Sequence, residues 1–337
     1  MQFTASLALA AAVGLAPAAA SAAEKLKMAT IAPGTSSYLT MTTFANIVNK
    51  QQDEFEISVD ATGAATKHMV ELARGKLDIC MTAPTIYHFL KHNKAMYKKL
   101  ENGAELAENM RLIMWFPYGQ YHAVAYEGSG IETLHDIKGK RVFLGPPGGG
   151  AWAGSYGWIK SSTGLDVKKG DFHNVKASWS SALQGFQDRQ FDVYISGGIA
   201  PYPIIEQLAL TSKIRLLGMT EDEYAKADGL QQYIGALLGR ELGVIPADAY
   251  GDNVVTRGDV HTVGAIVGIA VQTGMPDHTA YTITKTFWES VPAMRDSTPW
   301  LADVTLDYAV KKGGLRLHPG ALKYYQEAGV AIPEESM

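Results

Sequence analysis

The sequence predicts an α/β protein of two lobes that are joined by two crossing strands and enclose a ligand cleft. Short apolar or alternating segments follow one another in turn with segments of helical periodicity, which is typical of βαβ units. Two longer apolar segments, residues 111–128 and 259–274, interrupt this alternation. The 337 residues, 47% of them hydrophobic and 19% charged, are sufficient for two domains with cores of their own.

The first lobe is predicted over residues 24–118. KLKMATIA predicts a strand, SSYLTMTTFANIVNKQ a helix, and EFEISVDAT a second strand in which apolar and polar residues alternate. AATKHMVELARGK then predicts a helix, LDICMTA a short buried strand, and a polar helical region continues through Asn109. Because strands and helices alternate along the chain, we expect the strands to be parallel.

The second lobe is predicted over residues 119–267, and the chain returns to the first lobe over residues 268–337. Pro117 and Gly119, in the middle of the first long segment, favour a strand that bends at a hinge. The alternation continues with a helix after Gly150 and with the segments GKRVFLG, FHNVKAS, SALQGFQDRQ, FDVYISGG, PIIEQLAL and KIRLLGM. After the second long segment, helical patterns in YTITKTFWESVPAMRD, LADVTLDYAVKKG and ALKYYQEAGV are expected to pack on the first lobe.

Residues 1–23 have the features of a secretory signal peptide. They are uncharged, rich in alanine and end in small residues, although the basic residue usual near the start is missing. We therefore expect export to the periplasm and removal of this segment. The only cysteine, Cys80, lies far beyond it, so neither a lipid at the cleavage site nor an intrachain disulfide is predicted.

Charge and hydropathy disfavour two classes of partner. The formal net charge of −4 and the isoelectric point of about 6.1 lack the basic excess that nucleic acid or an anionic membrane surface requires. Beyond the leader, no apolar run reaches the ~18 residues typical of a transmembrane helix. The mature chain is therefore expected neither to bind nucleic acid nor to span a membrane.

The loops at the carboxyl ends of the strands form the candidate site, because ligands of open α/β sheets bind there. The loop PGTSSY offers hydroxyls and backbone N–H groups at a helix start, which suit an anion, although plain N-capping by Ser36 or Ser37 is an alternative. The candidate ligand-binding residues of the first lobe are Thr35, Ser36, Ser37, Tyr38, Thr62, Gly63 and Thr82. Those of the hinge and the second lobe are Tyr118, Gly149, Gly150, Ala151, Trp152, Trp179, Ser196, Gly197 and Gly198.

The segment GPPGGGAWAGSYG, residues 145–157, leads into a helix, so its backbone amides can approach a carboxylate or a phosphate closely. It lacks the Gly-Lys-Ser/Thr of a P-loop and the spacing of a dinucleotide fingerprint, so no cofactor is predicted. For Trp152 and Trp179, packing and ligand contact are both open interpretations.

Motifs of enzyme and metal sites are absent from the sequence. It contains no GxSxG, HExxH or CxxC and no acid pair at a recognisable spacing, so catalysis is not predicted. His88 and His92 stand four residues apart on a predicted helix, but without a nearby acidic residue or cysteine they indicate a solvated helix face and no metal site. A bilobal enzyme that acts on an anionic substrate, and an interaction protein without a small ligand, stay as alternatives.

Six motifs, taken in order, resemble those of TRAP transporter solute receptors of the TAXI (TRAP-associated extracytoplasmic immunogenic) branch. They are PGTSSY, PYGQYHAVAYEGSGIETLHDIKGKRVFLGPPGGG, ISGGIAPYPIIEQLA, GVIPADAYG, DVHTVGAIVGIAVQTGMPDHTAYTITKTFWE and LHPGALKYYQEAGV, and they span nearly the whole mature chain. The resemblance implies a periplasmic receptor with the type II periplasmic binding protein fold. Such a receptor captures a small organic carboxylate or an amino acid between its lobes and delivers it to the membrane permease subunits of a TRAP transporter.

Two loops depart from the pattern of that family. Its members typically read GSGT where this chain has residues 148–151, and Ser/Thr-Gly-Gly-Ser where it has residues 62–65, so hydroxyl groups are lost. Aromatic residues near the predicted cleft, among them Tyr121, favour a carboxylate that is larger or less polar than glutamate. A glutamate-like amino acid stays an alternative. In either case the lobes are expected to close on the solute, and the closed form to dock on the permease.

Overall fold

The computed structural model of the chain describes residues 23–295 and 298–337, so that the predicted signal peptide, residues 1–23, lies outside the described residues except for Ala23. The described strands are β1 (Glu24–Ala29), β2 (Phe55–Asp60), β3 (Ile79–Thr82), β4 (Met110–Tyr126), β5 (Arg141–Phe143), β6 (His173–Asn174), β7 (Val193–Gly198), β8 (Ile214–Leu217), β9 (Arg240–Ile245), β10 (Val254–Val255) and β11 (Val260–Gln272). The described α-helices are α1 (Ser36–Gln51), α2 (Ala65–Ala73), α3 (Pro84–Lys91), α4 (Gly103–Glu108), α5 (Gly150–Thr163), α6 (Trp179–Gln187), α7 (Pro203–Ala209), α8 (Glu221–Ala225), α9 (Asp228–Gly235), α10 (Asp277–Met294), α11 (Leu306–Ala309) and α12 (Pro319–Glu327).

Helix α1 shows how local signals set an element. The Thr35 hydroxyl accepts a hydrogen bond from the Tyr38 backbone N–H at 3.2 Å, which satisfies one of the free donors at the helix start. Met41, Phe44 and Val48 follow at helical spacing and are fully buried. The helix therefore covers the predicted segment from its first residue to its last.

Elsewhere the boundaries differ from the predicted ones. Helix α6 begins two residues before the predicted SALQGFQDRQ and ends at Gln187, because Arg189 takes a φ of 58°, outside the helical region. The predicted strand FHNVKAS is reduced to the two residues of β6. Strands β9 and β10 and helices α8 and α9 have no counterpart in the sequence prediction, because no sustained apolar period marks them.

The strands form one hydrogen-bonded sheet in the order β2-β1-β3-β11-β4-β7-β5-β6, with β9 beside β11, β8 beside β4 and β10 beside β8. Strands β1, β2 and β3 are parallel to one another, as are β5, β6 and β7, which confirms the parallel pairing expected from the alternation. The sequence predicts two sheets, whereas the structure has a single continuous one. The reason is that β4 and β11, of 17 and 13 residues, pair with neighbours in both lobes.

The two crossing strands part at the predicted bend. Strand β4 pairs with β11 up to Pro117 and with β7 from Gln120 onward. Between these positions Gly119 has a φ of +94°, and a Cβ there would lie 2.2 Å from the backbone carbon of Gly198. Only glycine combines this backbone conformation with so close an approach of the next strand.

The C-terminal helices pack against α1 and the first half of β4. The Phe287 ring of α10 lies 5.1 Å from that of Phe44 in α1. The Tyr325 hydroxyl of α12 accepts a hydrogen bond from the Trp288 indole at 3.0 Å and donates one to the Ile113 carbonyl of β4 at 3.0 Å. The lobe boundaries at residues 118/119 and 267/268 stay predictions.

A buried histidine on the far half of β4 is held in a polar network. His122 is fully buried; its Nδ1 lies 2.9 Å from the Gln120 carbonyl, and its Nε2 lies 2.7 Å from the Tyr250 hydroxyl. Because a carbonyl can only accept, Nδ1 carries the proton and Nε2 accepts from Tyr250. The Tyr250 hydroxyl also accepts from the Tyr202 backbone N–H at 2.9 Å. Burial lowers the pKa of His122 to about 4, so the ring is neutral at physiological pH.

Candidate functional site

A cavity of about 170 Å³ lies between the two lobes, next to the crossing strands. The first lobe contributes to its lining the loops that follow β1, β2 and β3 and the first turns of α3. The second lobe contributes the glycine-rich loop with the start of α5, the first residue of α6, Tyr233 of α9 and the start of β9. The carboxyl ends of the parallel strands of the first lobe thus open into the cavity, as in other open α/β sheets.

The lining is mainly apolar. Aliphatic and thioether side chains such as Ile31, Met81 and Val267 form much of it, and glycine and alanine backbone forms most of the rest. The polar lining residues are Thr85, Trp179, Arg240 and the tyrosines Tyr118, Tyr121 and Tyr233. Among the described lining residues, Arg240 carries the only formal charge.

Arg240 is the first residue of β9, and its guanidinium is half-buried. The guanidinium carbon lies 3.8 Å from the centroid of the Tyr233 ring, and one terminal NH₂ donates to the Tyr233 carbonyl at 2.8 Å. No carboxylate of the described residues lies within salt-bridge distance of it. Burial lowers the pKa of the Arg240 guanidinium, yet an arginine stays protonated at physiological pH. A half-desolvated cation with free N–H donors therefore faces an apolar cavity, and this favours an anionic ligand.

Two tyrosines accompany this cation. Burial raises the pKa of Tyr121, and the charge of Arg240 opposes that rise. Both tyrosines line the cavity together with Arg240, and a Cβ at Gly154 would lie 2.3 Å from the Tyr121 hydroxyl. The Tyr233 hydroxyl donates to the Gly154 carbonyl at 3.2 Å, whereas the Tyr121 hydroxyl has no hydrogen-bond partner among the described residues. The Tyr121 hydroxyl is thus a free donor of a residue that lines the same cavity as Arg240.

Close packing explains several glycines of the segment 145–157. A Cβ at Gly154 would lie 2.3 Å from the Tyr121 hydroxyl, and one at Gly157 would lie 2.4 Å from the Tyr233 ring. A Cβ at Gly150 would lie 2.7 Å from Ile86 of the first lobe. These glycines let α5 approach both the tyrosines and the opposite lobe, a function that the sequence pattern alone does not distinguish from anion binding.

Glu241, the residue after Arg240, joins β9 to the C-terminal segment. Its carboxylate accepts a hydrogen bond from the Tyr308 hydroxyl at 2.9 Å and pairs with the Lys311 ammonium at 2.7 Å. Successive side chains of a strand point to opposite faces, so the cation of the cavity and this carboxylate are one residue apart on the two faces of β9. By the predicted boundaries, the contact connects the second lobe with the first.

We expect Glu241→Gln to lower ligand affinity three- to tenfold with little loss of thermal stability. The change removes the charge pair with Lys311, which favours the arrangement of the lobes described here, while the amide can still accept from Tyr308. Isothermal titration calorimetry measures the effect. Glu335→Gln is the matched control, because Glu335 forms an exposed pair with the neighbouring Lys312 at 2.9 Å and lies outside the cavity. Equal affinities of the two variants would contradict a role for Glu241 in closure.

Residues 28–329 of the chain match the NMT1-like family. The chain belongs to this family. Among solved structures, it is similar to a protein from Bordetella bronchiseptica RB50, with a TM-score of 0.50 and 13% identity over 92% of this chain and 85% of that chain. The alkanesulfonate-binding protein SsuA from Xanthomonas axonopodis pv. citri, bound to MOPS, gives a TM-score of 0.46 at 15% identity over 93% and 82%. A TRAP periplasmic solute binding protein from Sulfitobacter sp. NAS-14.1, with bound β-D-galacturonate, gives 0.47 at 13% identity over 92% and 88%.

At these identities the likeness concerns the fold alone. The predicted α/β architecture, a periplasmic binding protein fold with two lobes and two crossing strands, is confirmed in this NMT1-like chain. Within residues 23–295 and 298–337, no helix is both long and apolar enough to cross a bilayer. The same residues contain no cluster of three or more histidine, cysteine, aspartate or glutamate side chains with metal-binding geometry. The rings of His88 on α3 and of His92, directly after it, lie with centroids 4.5 Å apart and are tilted by 51°.

The NMT1-like structure brings six of the candidate ligand-binding residues to the cavity, which are Gly63, Tyr118, Gly149, Gly150, Ala151 and Trp179. Trp179 also packs edge-on against Phe143 at 5.5 Å, so ligand access and core packing coincide in one side chain. The sequence places Trp179 near the end of a strand, whereas it begins α6.

The other candidates of the first lobe lie outside the cavity lining. Thr35 caps α1, Ser37 is fully buried, and Tyr38 is half-buried on that helix. The Ser36 hydroxyl accepts a hydrogen bond from the Ile199 backbone N–H of the second lobe at 3.1 Å. The exposed Thr62 hydroxyl donates to Asp60 at 2.7 Å, and the buried Thr82 hydroxyl lies 3.6 Å from the Met69 sulfur. The PGTSSY loop thus contacts the opposite lobe at the seam between the lobes.

The remaining candidates of the second lobe also lie outside the lining. Trp152 stacks on Tyr156 at 5.3 Å, and its indole N–H donates to the Asn174 side chain at 3.3 Å. Ser196, Gly197 and Gly198 belong to the buried strand β7. A Cβ at Gly197 would lie 2.0 Å from the Tyr118 ring, so this glycine makes room for a ring that itself lines the cavity.

Sequence reasoning missed two residues of the site, Arg240 and Tyr233. It named Tyr121 only among the aromatic residues near the predicted cleft. Arg240 stands alone in GRELGVI, without a motif, and Tyr233 lies in a helix that was not predicted. A signal was present for Tyr121 alone, since it follows the predicted bend at Gly119 within the crossing strand.

Proposed function

We propose that this chain is a periplasmic solute-binding receptor of the TAXI type, which captures a small organic carboxylate between its lobes and delivers it to a TRAP-type secondary transporter. The observation that carries the proposal is the unpaired Arg240 guanidinium in an apolar cavity between two lobes. A carboxylate that replaces lost water at the guanidinium forms charge-assisted hydrogen bonds, which are the strong ones. The motifs that resemble TAXI receptors, and the signal-peptide features of residues 1–23, support the periplasmic and transport parts.

The lining chemistry favours a carboxylate over an amino acid. An α-amino acid carries an ammonium group that needs an acidic or carbonyl partner when it is buried. No Asp or Glu is among the described lining residues of the cavity. The glutamate-like alternative is therefore less well supported than an organic acid.

The lining also lacks the side chains that most often act as nucleophile or general base in an enzyme. Among the described lining residues there is no Cys, His, Lys, Asp or Glu to act as nucleophile or general base. Binding and release, with the crossing strands as hinge, are what the residues present can perform.

Thermal unfolding with added organic acids tests the proposal. The exported chain, purified from periplasm and stripped of bound ligand by unfolding and refolding, is heated with monocarboxylates, dicarboxylates, keto acids and amino acids. A ligand at 100 times its Kd adds about 2.7 kcal/mol of stability, which raises the Tm by several degrees. Small-angle scattering should show a smaller radius of gyration with the same ligand. If no acid of the panel shifts the Tm, or if Arg240→Met shows the same shift as the unchanged chain, the proposal of a carboxylate receptor is rejected.

A further inference from the structure

We infer that the solute is an aryl monocarboxylate, with a single ring and a carboxylate attached directly or through one methylene. The inference rests on the proposed function and names its substrate class. It follows from three properties of the cavity. These are the number of its charged side chains, the hydrogen bonding and accessibility of its hydroxyl groups, and its size and shape.

The first property is that the cavity has one place for a charge. Arg240 is the only charged lining residue that the structure describes, and it stacks on the Tyr233 ring at 3.8 Å. The Tyr233 hydroxyl contacts Gly154, where the Tyr121 hydroxyl also lies, so the free Tyr121 hydroxyl supplies a second donor on the same wall of the cavity. A carboxylate held by Arg240 and the Tyr121 hydroxyl is satisfied on both of its oxygens. A second carboxylate or an ammonium group would be desolvated without an oppositely charged side chain among the described lining residues, which disfavours dicarboxylates and amino acids.

The second property is that the other hydroxyls of the lining residues are already hydrogen-bonded or are inaccessible. The Thr85 hydroxyl donates to the Leu238 carbonyl at 2.9 Å, and the Tyr233 hydroxyl donates to the Gly154 carbonyl at 3.2 Å. The Tyr118 hydroxyl is buried and has no hydrogen-bond partner among the described residues, so this residue offers the cavity its ring and no accessible hydroxyl. A hydroxylated sugar acid would find few side-chain partners for its hydroxyls, and a site without such partners binds it weakly.

The third property is size and shape. The cavity has a volume of about 170 Å³, and an apolar protein cavity of ~150 Å³ is known to hold a benzene molecule. Rings of Phe89, Tyr118, Tyr121 and Trp179 line it, and those of Tyr118 and Tyr121 are tilted by 57° with centroids 5.9 Å apart. Tilted and edge-on contacts between rings are the favourable ones, so a planar aromatic ring fits this wall better than a saturated ring does.

Calorimetric titration of the exported chain distinguishes these features one at a time. Benzoate and phenylacetate are compared with benzamide, which lacks the charge, and with cyclohexanecarboxylate, which lacks the aromatic ring. Succinate, L-glutamate and D-galacturonate represent the polar classes. We expect one of the two aryl carboxylates to bind at least 100-fold more tightly than benzamide and the three polar acids, and at least threefold more tightly than cyclohexanecarboxylate.

A cavity-filling variant provides the structural control. Ala153 of α5 lines the cavity, and Ala153→Leu is expected to weaken aryl carboxylate binding at least tenfold while propionate binding changes less than threefold. Its Tm without ligand shows whether the variant is folded. Should it not fold, the ligand series on the unchanged chain decides the question alone.

The outcomes separate the two proposals. If succinate, glutamate or galacturonate binds most tightly and loses affinity in Arg240→Met, the receptor stands and the aryl class is overturned. If cyclohexanecarboxylate binds as tightly as the aryl acids, the aromatic requirement is overturned. If benzamide binds as tightly as benzoate, or no anion binds in a manner that depends on Arg240, the proposed function itself fails.

Discussion

Replacement of Arg240 by methionine is expected to lower the affinity for the carboxylate ligand by two orders of magnitude or more. The variant leaves the ligand charge in an apolar cavity whose remaining side-chain donors, such as the Tyr121 hydroxyl, are neutral. Breaking a buried ion pair from one side costs about 3–5 kcal/mol, and because this guanidinium is half-exposed, about 3 kcal/mol, or roughly 100-fold, is the better expectation. Calorimetric titration of both proteins measures the difference.

Two further variants make the result specific. Arg240→Lys keeps the charge but loses the planar fork and the contact with the Tyr233 ring, so an intermediate loss of roughly tenfold is expected. Arg215→Met removes an arginine that pairs with Glu127 at 3.0 Å outside the cavity, and ligand affinity should not change. Retention of affinity within threefold in Arg240→Met would show that the guanidinium does not hold the ligand.

Acidification is expected to destabilise the second lobe through His122. The pKa of this ring is lowered from 6.5 to about 4 in the folded protein, chiefly because burial disfavours the charged form. Between these two values the unfolded chain binds a proton that the folded chain does not, so stability falls as the pH decreases. The effect is largely absent above pH 7 and amounts to about 2 kcal/mol at pH 5, approaching about 3 kcal/mol near pH 4.

Urea denaturation of the ligand-free chain at pH 7 and pH 5 measures this effect against two variants. His122→Gln should be less stable at pH 7, because it disturbs the hydrogen bonds with Gln120 and Tyr250, but its stability should change by about 2 kcal/mol less between the two pH values. His173→Gln, at an exposed position of β6, should match the unchanged chain at both. An unaltered pH dependence in His122→Gln would assign the acid sensitivity to other groups.

Local patterns of the sequence were enough for several elements that border the cavity, but not for α9 and β9, which carry Tyr233 and Arg240. The N-cap at Thr35 and the apolar period of α1 act within a few residues of chain, so they are visible without the fold. The same holds for the crossing strands β4 and β11, whose apolar runs are too long for one lobe, and for the bend at Gly119. Parallel pairing and the location of a cleft at strand ends follow from the alternation of elements by general rules of α/β folds.

The identity of the cavity residues was decided by tertiary structure. A hydroxyl at a helix start can cap the helix, contact a ligand or form a hydrogen bond with the other lobe. For Ser36, only the folded structure shows that its hydroxyl accepts a hydrogen bond from the Ile199 N–H of the other lobe. In the sequence, nothing distinguishes Arg240 from the other arginines. In the structure, it lies at the start of β9 and lines the cavity without a carboxylate partner among the described residues. Trp152 and Trp179 have similar sequence surroundings, yet one packs on Tyr156 and the other lines the cavity. Sequence by itself therefore determined the two-lobed α/β architecture and indicated the strand ends as the candidate site, because short-range preferences specify elements. Which side chains face the ligand depends on contacts between distant segments, and only the packed fold determines these.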